Sequence, residues 1–89
     1  MIRRRVRVVN KLGLHARAAA RFVTTASGFE SDIRLGCNGQ QVNGKSIMGV
    51  MMLAASQGAS LDLVADGVDE ERAATALERL VAERFGEEE

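Results

Sequence analysis

Few side chains in this sequence can do chemistry, and two of them stand directly before stretches that read as helices. His15 precedes Ala16 to Ala26, a run of good helix formers, and so occupies the place where a helix N-cap belongs. Ser, Thr, Asp or Asn would be the stabilising choice there. A residue that breaks a local rule without structural gain is a functional suspect. A helix start presents unpaired N–H groups and the positive end of the dipole, which together make an anion site. Arg17, two residues on, can add a charge-assisted contact to a phosphate. An imidazole beside such a site can accept a phosphoryl group covalently while the amides of Ala16 and Arg17 hold the transferred oxygens. A plain surface histidine at a loop end satisfies the same spacing. Ser46, before the short apolar helix from Ile47 to about Leu53, is an N-cap by type, and a serine there is ordinarily no more than that.

The remaining candidates are weaker. Met48, Met51 and Met52 fall at i, i+3 and i+4, a stripe whose ordinary explanation is core, expected for two of the three. A short helix in a chain this small cannot bury every side, and exposed methionine suits a surface that meets several partners in turn. Cys37 has no companion cysteine or basic cluster to lower its pKa and reads as core filler at a strand end. Gly36-Cys-Asn-Gly39 has the spacing of an RNA-binding loop that joins two helices, but here it spans a hairpin turn. Arg3, Arg5 and Arg7 read as a solvated strand face.

These residues need elements to position them. Ile2, Arg4, Val6 and Val8 alternate with Arg3, Arg5, Arg7 and Val9, which from Val6 onward predicts a one-sided strand. The loop Asn10-Lys-Leu-Gly-Leu14 leads to the His15 helix, whose inner face is Ala19, Phe22, Val23 and Ala26 and which closes at Ser27-Gly28. Ile33, Leu35 and Cys37 alternate up to Asn38-Gly39, a strong hairpin signal, and a short strand returns from Gln40 to Val42. Asn43-Gly44 turns the chain into the Ser46 helix, Gly58 breaks it, and Ser60 to Ala65 reads as a further strand. Asp69 is expected to cap a last helix with Ala73, Leu77, Leu80 and Val81 inward, ending near Gly86 before a solvated acidic tail, Glu87 to Glu89. The order β-α-β-β-α-β-α predicts a two-layer, open-faced α+β sandwich: four strands, mainly antiparallel, with three helices covering one face. Residues 1–89 are expected to form one domain.

Composition narrows the classes. The chain has 89 residues, and 12 Lys+Arg cancel 12 Asp+Glu, which argues against a bulk polyanion binder. With no Trp, no Tyr and three Phe, stacking on bases is poorly supplied. One Cys and one His cannot assemble a protein-only zinc site or a disulfide, and no cofactor or metal is expected. No signal peptide or spanning segment is visible, since Ile47 to Ala55 is the longest charge-free apolar stretch, so a cytoplasmic location and no membrane insertion are expected. The neutrality is uneven: residues 1–45 hold nine Lys+Arg against two acids, and residues 46–89 hold three Arg against ten acids. A basic face around His15 is expected from that division.

Asn10-Lys-Leu-Gly-Leu-His15-Ala-Arg17-Ala-Ala closely resembles the active-site segment of the HPr family, the phosphocarriers of the bacterial phosphoenolpyruvate-dependent sugar phosphotransferase system. Gly44-Lys-Ser46-Ile-Met-Gly-Val-Met-Met-Leu53 resembles the regulatory serine site of the same family, and the two motifs stand at its spacing. The resemblance implies a carrier rather than an enzyme. His15 would accept the phosphoryl group on Nδ1 from phosphorylated enzyme I and pass it to EIIA domains, with Arg17 and the Ala16 amide stabilising it. It implies phosphorylation of Ser46 by HPr kinase/phosphorylase, and a docking patch at Lys45, Ile47, Met48 and Met51. A carrier that docks serially is expected to be a monomer without nucleic acid. Ala18 stands where most members have proline, so the first turn is expected to be less firmly set. A carrier for the paralogous nitrogen-related relay, or a nucleic-acid or protein-binding module using the basic first strand, are the other readings.

Overall fold

The computed structural model describes residues 1–89. Its elements are β1 (Ile2–Arg7), α1 (Ala16–Ser27), β2 (Asp32–Cys37), β3 (Gln40–Asn43), α2 (Ile47–Met52), β4 (Ser60–Asp66) and α3 (Glu70–Ala82), then one 3-10 turn at Arg84–Gly86. The strands form one antiparallel sheet in the order β1-β4-β2-β3. The expected two-layer α+β sandwich is therefore the fold. Alternation places Val6, Ile33, Leu35, Leu61 and Leu63 inward, and on the other face Arg3, Arg5, Arg7, Asp32, Arg34 and Asp62 meet solvent. Register sets Arg5 opposite Asp62, where its Nε donates to Oδ1 at 3.3 Å. Part of the basic strand is thus neutralised by its neighbour.

Asn38 and Gly39 both take positive φ, 51° and 82°, so this hairpin turns as the Asn-Gly signal requires. Helix α3 lies over β1 and β4, α2 packs on β3, and α1 is held between α2 and α3. Phe22 of α1 and Phe85 beyond α3 are fully buried in the shared core. The inner face of α1 also takes in Ala18, so alanine here fills core space. Helix α1 begins at Ala16 nonetheless, with Ala19 N–H bonded to His15 O at 2.9 Å.

Several expectations are corrected. Gly28 follows α1 as its C-cap but in a right-handed conformation (φ −76°), its N–H reaching Thr25 O at 3.1 Å. Leu80 is only partly buried, and Ala74 joins Ala73, Leu77 and Val81 on the inner stripe. Asp69 holds the N-cap position of α3, but its side chain makes no hydrogen bond to its own helix. Its carboxylate accepts instead from the N–H groups of Glu30 and Ser31, at 2.9 and 3.0 Å, and from the Ser31 hydroxyl. The tie crosses from the α3 start to the turn after α1, where a cap bond would have been local.

The Ser31 hydroxyl, with the two N–H groups, holds the Asp69 carboxyl below its ordinary 3.8, at about 2. A group whose pKa is depressed by folding contributes stability that is complete above the unfolded value and lost as pH falls through the folded one. The stability difference between wild type and Asp69→Asn, from urea unfolding, is therefore expected to be largest above pH 3.8 and to shrink toward pH 2. A difference that stays constant across that interval would contradict the ionised tie.

Candidate functional site

The backbone before α1 is fixed by hydrogen bonds that the loop makes to itself and to the chain leaving α2. Asn10 is fully buried, and its amide nitrogen donates to Gly13 O at 2.9 Å. Leu14 N–H bonds Ala55 O at 2.9 Å, and the Leu14 side chain enters the core. Gly13 has φ +68°, and a Cβ there would stand 2.4 Å from Ala55 O and 2.9 Å from Ser56 Cα. Glycine is the residue that lets the two backbones meet so closely.

This loop delivers His15 to the N-cap of α1, as its spacing predicts. His15 has extended backbone (φ −74°, ψ 177°), and its Nδ1 accepts from Arg17 N–H at 3.3 Å. No acidic side chain stands in the first turn, so the positive end of α1 is left uncompensated by its own helix. The ring is 27% exposed and lines a cleft with Ala16, Arg17, Arg21 and Lys11. A nitrogen lone pair, helix amides and guanidinium groups thus converge where an anionic group could be bound and attacked.

The other wall of this cleft is acidic, which overturns two expectations. Glu87 is not a solvated tail residue: its side chain is 16% exposed, and its Oε2 accepts from His15 Nε2. Its Oε1 accepts from Asn10 Nδ2 at 2.9 Å. Glu89 lies 3.6 Å from Lys11 Nζ and accepts from Lys11 N–H through its backbone oxygen at 2.6 Å. The surroundings of His15 are therefore mixed in charge rather than a purely basic face. Burial alone would raise the Glu87 carboxyl, but the Asn10 amide, the His15 ring and the charge of Arg21 outweigh it and hold the group below its ordinary value.

Of the residues bonded around His15, Asn10 and Glu87 are the two that the sequence does not single out. A polar residue continuing the alternation of β1 into a buried position was the available sign for Asn10. Glu87 had no local sign.

Ser46 caps α2 as expected, its hydroxyl oxygen accepting from Gly49 N–H at 3.1 Å. Core burial expected for two of the three methionines is not found. Val50 alone of α2 is buried, while Met48 is 72% exposed, Met52 64%, and Ile47 and Met51 are exposed as well. Ile47, Met48 and Met51 thus form an open apolar surface, to which Met52 belongs. Lys45, half-buried, donates from Nζ to Phe29 O at 2.7 Å. The Leu14–Ala55 bond ties the loop before His15 to the chain leaving α2. Cys37 is buried in the core, no cluster of His, Cys, Asp or Glu is arranged to hold a metal, and no helix is long and apolar enough to cross a membrane.

Residues 2–83 match the family described as the PTS HPr component phosphorylation site. The phosphocarrier protein HPr of Cupriavidus necator is 52% identical over 87 residues, spanning 98% of each chain. Among solved structures, HPr-C-His from Thermoanaerobacter tengcongensis is similar over 100% of both chains, with TM-score 0.96 and 49% identity. A second structure from that organism, described as an HPr dimer, covers 92% of this chain and 94% of that one, with TM-score 0.78 and 51% identity.

The loop geometry gives its own test. Gly13→Ala must both strain a left-handed φ and push Ala55 away, and is expected to cost about 3 kcal/mol in urea unfolding. Unchanged stability would mean that the two backbones are not pressed together in solution.

Proposed function

The chain belongs to the HPr family of the phosphoenolpyruvate-dependent phosphotransferase system, and from that membership we propose that His15 is the residue that carries the phosphoryl group. The protein is a phosphocarrier and not an enzyme. In this reading phosphorylated enzyme I is the donor and EIIA domains of sugar permeases are the acceptors. The observation that carries the reading is the Nδ1 of His15, set at a helix start with no acid in its first turn and accepting from the Arg17 N–H.

The chemistry follows from that placement. The Nδ1 lone pair attacks phosphorus, the donor's bond to phosphorus breaks, and its electron pair stays with the donor. The oxygens of the transferred group carry negative charge throughout, and the α1 amides at Ala16 and Arg17, the helix dipole and the Arg17 guanidinium oppose it. When an EIIA domain takes the group, the Nδ1–P bond breaks and its pair returns to the ring. The carrier needs no cofactor or metal for this. It acts, in this reading, as one cytoplasmic domain over residues 1–89, monomeric while it docks on successive partners.

The exposed surface of α2 supplies the docking patch in the same reading, with Ile47, Met48 and Met51 as its apolar contacts and Lys45 at its margin. Ser46 is the control site, modified by HPr kinase/phosphorylase. A phosphate at this N-cap would meet the positive end of α2, so the helix persists. Its added charge of about −1.5 to −2 would enter an apolar contact surface and weaken docking. The serine motif favours the carbon-regulated system over the nitrogen-related relay, and the Arg5–Asp62 and Arg34–Asp32 pairs leave the sheet face poorly suited to polyanions.

Incubation with phosphoenolpyruvate and enzyme I is expected to add one acid-labile phosphoryl group to wild type by intact mass and none to His15→Ala. Modification of His15→Ala, or none of wild type, contradicts the assignment. Met48→Asp and Ser46→Asp are expected to raise KM for enzyme I about tenfold, since a charge placed in a desolvated apolar contact costs on the order of 1–3 kcal/mol. An unchanged KM for both would remove α2 from the docking surface.

A further inference from the structure

The chain end beyond α3 is built to reach His15. Arg84 and Phe85 both take left-handed φ, 60° and 55°, and reverse the chain immediately after the helix. Phe85 is fully buried, and its carbonyl oxygen accepts from Arg21 Nη1 of α1. Two residues later Glu87 is gripped on both carboxylate oxygens, by Asn10 Nδ2 at 2.9 Å and by His15 Nε2. Glu89 then closes the segment against Lys11 through a backbone hydrogen bond of 2.6 Å and an ion pair of 3.6 Å. Contacts before, at and after Glu87 therefore hold its carboxylate behind the imidazole, on the side away from the start of α1.

We propose that Glu87 is a positioning residue of phosphoryl transfer: it keeps the hydrogen of His15 on Nε2, leaves the lone pair on Nδ1, and balances the charge of the phosphorylated ring. The inference rests on His15 being the acceptor. It follows from the fixed polarity of the two partners. A backbone N–H only donates, so Nδ1, facing Arg17 N–H, must accept. An ionised carboxylate only accepts, so Nε2, facing Glu87, must donate. Together they select one neutral tautomer, the one with its nucleophilic nitrogen toward the helix amides.

The same contact acts on the transfer itself. As the Nδ1–P bond forms and the donor's bond breaks, no proton leaves the ring, because Nε2 keeps its hydrogen. The imidazole thereby becomes a phosphorylated cation. A carboxylate hydrogen-bonded to Nε2 stabilises that cation more than the neutral ring, as a carboxylate does behind a catalytic imidazole. An interaction stronger in the charged state than in the resting state raises the rate of acceptance. Arg17, Arg21 and Lys11 face the same cleft, with Lys11 paired to Glu89. Glu87 is therefore the acid held directly on the ring.

Glu87→Ala and Glu87→Gln, in the full chain, separate this role from a structural one. Each is phosphorylated with enzyme I and phosphoenolpyruvate while kcat and KM are read, and the imidazole tautomer is read from 15N shifts. Glu87→Ala is expected to lower kcat about tenfold with KM within twofold, and to mix the two tautomers. Glu87→Gln keeps an acceptor oxygen but no charge; it is expected to retain the tautomer and to lose about threefold in kcat. An unchanged kcat in Glu87→Gln together with an unchanged tautomer in Glu87→Ala overturns the proposal. Should Glu87→Ala loosen the tail, Glu87→Gln, equal in size, decides alone by its kcat. Failure of wild type to be phosphorylated on His15 would instead overturn the carrier assignment on which the inference rests.

Discussion

A helix start leaves its first N–H groups without intrahelical acceptors, and a capping side chain ordinarily takes one of them from within the same turn. At α1 the cap is an imidazole whose Nδ1 makes a 3.3 Å bond to Arg17 N–H, and no acid follows in the first turn. In the proposed reading, such a long, weak cap can be given up when a phosphoryl group arrives. The rest of the molecule serves that arrangement. Asn10 and Gly13 shape the loop before His15, Ala55 anchors it to the chain leaving α2, and Phe22 and Ala18 seat the helix in the core. The two helix starts differ in this respect. Ser46 caps α2 with a better-matched side chain at 3.1 Å, so that cap costs α2 nothing.

Charge is arranged by folding rather than by sequence blocks. The basic first half and acidic second half invite the picture of a polarised molecule, but the acidic chain end crosses back and places Glu87 and Glu89 against His15 and Lys11. In the proposed reading the carrier site has opposite polarity on opposite sides of one ring: the helix dipole and the Arg17 N–H at Nδ1, Glu87 at Nε2. That division suits a group that must be held firmly enough to carry and loosely enough to hand on.

What could be read from the residues was local. The alternation of the strands, the Asn38-Gly39 turn, and the two caps at His15 and Ser46 each depend on residues within four positions of one another, and each was found where its pattern places it. The features that escaped depend on distant partners. Asp69 stands at a cap position, but its carboxylate serves Glu30 and Ser31, far back along the chain. Nothing near Glu87 indicates that two non-glycine residues will adopt positive φ and that Phe85 will be drawn into the core, carrying the acid to His15. The methionines failed for a different reason: a stripe at i, i+3 and i+4 marks one face of a helix without saying whether anything covers it, and in α2 the covered position is Val50.

The most direct test of the whole arrangement is heteronuclear NMR of the 15N-labelled chain after phosphorylation by enzyme I and phosphoenolpyruvate. Coupling between phosphorus and a ring nitrogen names the atom that carries the group, and the remaining nitrogen reports its hydrogen. The geometry predicts a single phosphohistidine at His15 with phosphorus on Nδ1 and hydrogen on Nε2. Phosphorus on Nε2, or on any residue other than His15, would contradict it.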